Sequence, residues 1–149
     1  MRIILQRVSQ AACHIDKKLY SQINKGYLLL VGFNINDNQE TIDKLAKKIS
    51  KLRINEDENH KMNLDIHQVN GEILSISQFT LYADAKKGNR PSFTDAAPAE
   101  LAKPLYEKFN QALINNDLKV QTGVFQADMQ ISLINDGPVT IILDSETLC

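Results

Sequence analysis

Residues 132–144 read SLINDGPVTIILD. Leu133 and Ile134 on one side, and Val139 through Leu143 on the other, are strand formers. Between them stand Asn135, Asp136, Gly137 and Pro138. Asn, Asp and Gly make a tight turn, whereas proline cannot donate to a ladder. The plain reading is two strands, ADMQISLI (127–134) and VTIILD (139–144), joined by a turn. The sharper reading is that the Gly137–Pro138 backbone has a task of its own. The choice decides how many strands the C-terminal third gives to the sheet.

Working outward, KVQTGVF (119–125) reads as a further strand, and a helix is predicted from about Pro98 to Asn115. Pro98 suits a first helical turn. Leu101, Leu105, Phe109, Ala112 and Leu113 form the apolar stripe, and Pro104 is expected to kink the helix or delay its start. GEILSISQFTLYAD (71–84) reads as a central strand. NQETIDKLAKKISKLR (38–53) reads as a helix, with Ile42, Leu45, Ala46, Ile49 and Leu52 at helical spacing. Asp37 or Asn38 can cap it, and its lysines, Lys44, Lys47, Lys48 and Lys51, read as a solvated face. At the N-terminus, RIILQRV (2–8) and SQAACHID (9–16) alternate like strands. Ile3, Leu5 and Arg7 fall on one face. GYLLLVGF (26–33) is apolar throughout, as in a strand covered on both sides.

The order β-β-β-α-β-α-β-β-β is not the regular alternation of a doubly wound sheet. It predicts an α+β member of the α/β class: a mixed, largely antiparallel, barrel-like sheet with two packed helices, in one domain over residues 1–149. Two helices cannot cover all the apolar strand surface, so a homodimer is expected to bury the rest.

The chain has 149 residues, 43% hydrophobic and 23% charged, no Trp and a formal net charge of −1. These values fit a soluble globular protein with an aliphatic core. Nucleic-acid binding would need a local basic patch. Two cysteines, Cys13 and Cys149, make neither a disulfide framework nor a zinc site; Cys13 reads as a buried thiol and Cys149 as a frayed end. The N-terminus lacks a signal-peptide pattern and no run is long enough to span a bilayer, which predicts a cytoplasmic setting with no membrane association.

The common catalytic signatures are missing: no G-x-S-x-G, no H-E-x-x-H, no phosphate-binding G-x-x-x-x-G-K. His14, His60 and His67 have no partner by spacing and read as structural or surface residues. The acidic loop NEDENHKMNLD (55–65) lacks the ligand spacing and central Gly of a calcium loop, so no metal and no cofactor are predicted. Two segments stand out. In SISQFTLYADAKKGNRPSF (75–93), Ser77, Gln78 and Thr80 place polar groups in an apolar strand. Alternation puts Gln78 with Thr80 on one face and Ser77 with Phe79 on the other. Buried without partners they would cost about 1–3 kcal/mol each; they are either bonded in the core or face a pocket. The following Lys86, Lys87 and Arg90 are either a phosphate site or a solvated turn. The second segment is Gly137–Pro138. Its peptide can be cis at a cost of about 0.5–1 kcal/mol, although most such pairs are trans.

Taken together, SQFTLYAD, KKGNRPSF and TGVFQADMQISLINDGPVT resemble the D-aminoacyl-tRNA deacylases of the widespread bacterial and eukaryotic type. The likeness extends to MRIILQRVSQA, LAKKISKLRI and KMNL, and so to nearly the whole chain. Gln126 departs from the small residue many members carry there. Ser77-Gln78-Phe79-Thr80 argues for the D-specific type over the related group that removes L-alanine.

The resemblance implies hydrolysis of the ester joining a D-amino acid to the terminal adenosine of tRNA, and of glycyl-tRNA mischarged on tRNA-Ala. It also implies a homodimer with two sites at the interface. In such a dimer a cis Gly137–Pro138 element reaches the partner's pocket, and its carbonyls receive the substrate's ammonium group. The N–H groups of Phe79 and Thr80 are expected to hold the oxyanion, with Ser77 and Gln78 shaping the site. Thr80 has no visible base, so the terminal 2′-hydroxyl is expected to assist an attacking water. Phe125 and Met129 are expected to line the adenosine pocket, or else pack in the core. Arg7 is expected to brace the Gly-Pro loop, and Lys86, Lys87 and Arg90 to touch the tRNA backbone. The competing readings are a non-catalytic RNA-binding module of the same fold and a plain structural dimer.

Overall fold

The structure is a computed structural model and describes residues 1–148. Cys149, expected to be frayed, lies outside the described residues. The strands are β1 (Arg2–Ile15), β2 (Lys18–Ile23), β3 (Gly26–Gly32), β4 (Asn55–Glu56), β5 (Met62–Leu64), β6 (Glu72–Ser77), β7 (Lys119–Thr122) and β8 (Gln130–Asp144). The helices are α1 (Gln39–Lys51), α2 (Ala99–Asn115) and a short α3 (Ser145–Leu148), with a 3-10 turn at Phe79–Tyr82.

The sheet runs β2-β1-β3-β6-β7, with β8 paired to β1. β1 pairs antiparallel with β2, β3 and β8, whereas β3·β6 and β6·β7 are parallel. Parallel neighbours need long crossovers, and these carry α1 and α2. The mixed, largely antiparallel, barrel-like sheet is therefore as expected. Ser21 Oγ donates to the Thr122 carbonyl at 2.8 Å, tying β2 toward β7.

Strand alternation splits the apolar residues into two cores. Ile3, Leu5, Tyr27, Leu29, Val31 and Ile73 face the helices and pack on Ile42, Leu45, Ile49, Leu105 and Phe109. Val8, Ala11, Cys13, Leu28, Leu74 and Ile76 face the barrel interior with Met129, Ile131 and Leu133. This is why GYLLLVGF has no polar face. In α1 the Asn38 side chain accepts from the Thr41 N–H at 3.1 Å, so Asn38 is the cap. Asp37 instead pairs with the Met1 ammonium group.

Several expectations are corrected. The two N-terminal strands are one strand, because β1 spans the whole sheet and keeps β8 as a partner along most of its length. β2 lies in a stretch to which the sequence reading assigns no element. The loop 55–65 carries the small β4–β5 pair, and α3 extends the C-terminal end. KVQTGVF stops pairing at Thr122, where β6 supplies no further partner beyond Ser75. α2 starts at Ala99 and runs through Pro104. That proline's missing donor would have served Glu100, an exposed residue whose carbonyl belongs to the first turn. Leu101 lies outside the buried stripe, which runs through Ala102, Leu105, Tyr106, Phe109, Ala112 and Leu113.

Residues 132–144 form no hairpin. β8 is continuous and pairs with β1 on both sides of the interruption, Gln6 opposite Thr140 and Val8 opposite Asn135. Residues 136–139 therefore bulge out opposite the single residue Arg7. A proline is tolerated in such a bulge because no ladder bond is asked of it.

Candidate functional site

The interrupted strand is closed by its own side chains. Asn135 Oδ1 accepts from the Val139 N–H at 3.2 Å, and Asn135 Nδ2 donates to Thr140 Oγ1 at 2.9 Å. The excursion between them leaves Gly137 and Pro138 exposed. Their peptide is cis, and Gly137 has φ +123°.

Arg7 lies behind this bulge, 4% exposed. Its Nε donates to the Asp136 carbonyl at 3.1 Å and its Nη1 to the Ile54 carbonyl at 2.7 Å. Glu56 at 3.8 Å and Asp136 at 3.6 Å add half-exposed countercharges. A buried guanidinium is tolerated only with such partners. Nearby, burial pushes the Tyr27 phenol up to about 12, and its oxygen accepts from Asn55 Nδ2 at 2.7 Å. The 54–64 hairpin, which sequence reasoning set aside, is thus the rear support of Arg7. Only a long-range contact assigns it that part, so no local signal was available.

The second locus is a cavity of ≈ 610 Å³ at the end of β3 and β6. Its lining includes Ser77, Gln78 and Phe79, Phe125 and Met129, and Ala97, Ala99 and Ala102. The structure thus brings five expected site residues to one cleft. The strand expected through Asp84 ends at Ser77. Gln78 donates a last ladder-like bond to the Val31 carbonyl at 2.7 Å; β3 then ends, and the chain enters the 3-10 turn. Its first bond runs from the Leu81 N–H to the Gln78 carbonyl at 3.3 Å. The N–H groups of Phe79 and Thr80 precede it and lie before the turn's own ladder. Thr80 is exposed and outside the cavity lining, yet Gln78 Nε2 donates to its Oγ1. The pairing predicted from strand alternation survives in a different backbone.

Behind the cavity wall, burial raises the Tyr106 phenol. It stays neutral and donates to the Ser75 carbonyl at 2.7 Å. Tyr106 also packs on Phe125, ring centroids 6.1 Å apart. Of the polar lining residues Asp128 escaped the sequence reading, and Gln126 was noted only as a departure from the family pattern. Asp128 is the cavity's one carboxylate, hidden in the sequence as an ordinary polar neighbour of Met129. Gln126 has φ +65°, which costs an L-residue about 1–2 kcal/mol.

Lys86, Lys87 and Arg90 are exposed on a loop closed by pairing of Asp84 with Ser92. Gly137, Pro138 and Arg7 do not line the cavity. Among the described residues no three His, Cys, Asp or Glu side chains group to hold a metal ion, and no helix is long and apolar enough to cross a membrane.

Fold and cleft together define an α+β protein with a partly apolar site whose polar groups include the Ser77 hydroxyl, the Gln78 amide and the Asp128 carboxylate. A family model described as D-Tyr-tRNA(Tyr) deacylase matches residues 4–144, and the chain belongs to that family. A D-aminoacyl-tRNA deacylase of Lactobacillus gasseri is 55% identical over 97% of this chain and 99% of its own. One from Thermosipho africanus is 52% identical over 98% of both. Among solved structures, a c-Myc DNA unwinding element binding protein is 36% identical, with a TM-score of 0.90 over 97% of this chain and 98% of its own. A probable eukaryotic D-amino acid tRNA deacylase shares the fold, with a TM-score of 0.84 at 14% identity over 95% and 97% of the two chains.

Proposed function

We propose that the cleft beside Ser77–Phe79 is where this D-aminoacyl-tRNA deacylase cleaves its ester, and that a second copy of the chain completes it with Gly137–Pro138. The activity comes with the family. The observation that carries the finer reading is the separation of the two motifs: the cavity and the Gly-Pro bulge occupy different parts of one chain. A homodimer supplies the missing half. Exposed Ile134 and Ile142 on β8 and Leu19 and Tyr20 on β2 are apolar surface for such an association.

In this arrangement the Gly137 and Pro138 carbonyls accept the substrate's α-ammonium group. A D side chain points away from the backbone and an L side chain into it, so rejection is steric. Glycine has no side chain to reject, which makes glycyl-tRNA mischarged on tRNA-Ala a second substrate. The terminal adenosine sits between Phe125 and Met129. The ester carbonyl faces the Phe79 and Thr80 N–H groups, which stabilise charge as it forms. Water attacks the carbonyl carbon, the ribose oxygen leaves with a proton, and the vicinal 2′-hydroxyl assists. Arg7 holds the bulge from behind.

Single-turnover hydrolysis of D-tyrosyl-tRNA and L-tyrosyl-tRNA tests the reading. Rapid release from the D ester only is expected. Binding without release would establish a non-catalytic module instead.

The Lys86/Lys87/Arg90 loop is the proposed tRNA backbone contact. Reversing all three to Glu is expected to weaken tRNA binding and to reduce the slope of log K against log salt by about 2, at about 0.7 per single-strand phosphate. Unchanged affinity and slope would remove the loop from the footprint.

A further inference from the structure

The loop that carries the three cations also carries an aromatic side chain with no place in the scheme above. Phe93 is 38% exposed and Phe79 57% exposed. Their rings meet edge to face, centroids 5.2 Å apart and 67° between planes. Two large aromatics in contact with each other, and open to solvent at a cavity rim, are not core packing. The loop holds Phe93 there by several independent ties. Asp84 and Ser92 pair in both directions at 2.8 and 2.9 Å, Ala96 N–H donates to the Phe93 carbonyl at 3.1 Å, and Ala97 N–H to the Phe33 carbonyl at 2.9 Å.

The chemistry around the pair selects its ligand. Phe79 lines the cleft together with Phe125 and Met129. Arg90 stands three residues before Phe93, with Lys86 and Lys87 on the same loop. A single-stranded polyanion held by those cations would reach the cleft by way of this loop and its aromatic pair. Aromatic faces interleaved with cations are the general means of holding single-stranded nucleic acid, by stacking a base while the backbone is neutralised.

We infer that the Phe79–Phe93 pair is a stacking platform for the nucleobase that immediately precedes the terminal adenosine of the substrate. This subsite rests on the cleft being the place of ester cleavage. It reads no sequence, because every base has a π-face. It sets the direction in which the tRNA end leaves the cleft, and so holds the ester in register with the N–H groups of the 3-10 turn.

A two-by-two experiment isolates the contact. The enzymes are wild type and Phe93→Ala. The substrates are D-tyrosyl-tRNA with its normal penultimate nucleotide and the same tRNA with an abasic residue there. On the intact substrate Phe93→Ala is expected to raise KM roughly tenfold, the size of one base–aromatic stack. On the abasic substrate the two enzymes should have the same KM, and Phe93→Trp should restore the wild-type value on the intact one.

Losses that multiply independently would overturn the platform, since Phe93 and the base would then not meet. A wild type indifferent to the abasic change would also overturn it while leaving the cleft reading intact. Failure of the wild type to cleave either substrate would sink the cleft reading itself. Sedimentation of Phe93→Ala guards against a dimer contact: a weakened dimer, with KM following subunit concentration, would assign the pair to an interface and overturn the proposal.

Discussion

A D-tyrosyl-tRNA ending in 2′-deoxyadenosine is expected to be hydrolysed at least about 100-fold more slowly than the natural substrate, whereas Thr80→Ala keeps most of the activity. The size follows from what a positioned proton-transfer group contributes, about 10²–10⁴-fold. Ser77 lines the cleft and Thr80 stands next to it in sequence beyond Phe79; Thr80 is the hydroxyl to which the motif would assign a covalent mechanism. A threonine needs a base to be a useful nucleophile at neutral pH. Its Oγ1 instead accepts a hydrogen bond from Gln78 Nε2, a donor that takes no proton. None of the three histidines lines the cavity: His14 lies in β1, and His60 is exposed and faces Glu56 at 3.4 Å. The substrate's own 2′-hydroxyl is already beside the ester carbon and pays no further entropy to be there.

Single-turnover rates with enzyme in excess separate the two cases, because they are insensitive to product release. Thr80→Ala that binds D-tyrosyl-tRNA normally but never turns it over would restore Thr80 as the nucleophile. Asp128→Asn belongs in the same series, since Asp128 is the carboxylate in the cavity lining. A loss there as large as that of the deoxy substrate would make the carboxylate the base.

The elements most legible in the sequence were those fixed by short-range periodicity. α1 and α2 followed their apolar stripes, and β3 followed from a run with no polar face. What misled was where a strand ends. The strand pattern carried β6 on through Asp84, yet a strand lasts only while its neighbour offers partners, and β3 stops at Gly32. The same blindness to partners turned β8 into two strands. Nothing in SLINDGPVTIILD tells that β1 continues beside it on both sides of the interruption. At the site, Ser77, Gln78 and Thr80 stood out because polar groups in an apolar run are costly unless they have a use, whereas Phe125 and Met129 were placed beside them by the resemblance to the family. Ile54 and Glu56 behind Arg7 could not be anticipated, since their contact spans about fifty residues of chain, and backbone carbonyls carry no residue signature.

Gly137→Ala is expected to reduce the preference for D-tyrosyl-tRNA over L-tyrosyl-tRNA by roughly 100-fold, far beyond its effect on stability. Gly137 has φ +123°, a region that costs other residues about 1–3 kcal/mol. An added Cβ would also lie 2.9 Å from Arg7 Nη2 and 2.9 Å from Val139 Cγ2. Arg7 cannot yield easily, because it is buried and its Nη1 is held by the Ile54 carbonyl at 2.7 Å. The exposed bulge is the part that moves, and it moves away from Arg7. A receptor for an ammonium group displaced by about 1 Å can cost 10²-fold in rate, and steric rejection of the L isomer relaxes in the same motion. Stability should fall only by the local strain, about 1–3 kcal/mol in urea denaturation, since Asn135 still closes the bulge to Val139. The ratio of single-turnover rates on the two esters is the decisive readout, because a general loss of folded enzyme lowers both equally and leaves it unchanged. A variant that is folded, slower on both isomers and equally selective would show that chirality is read elsewhere than at this bulge.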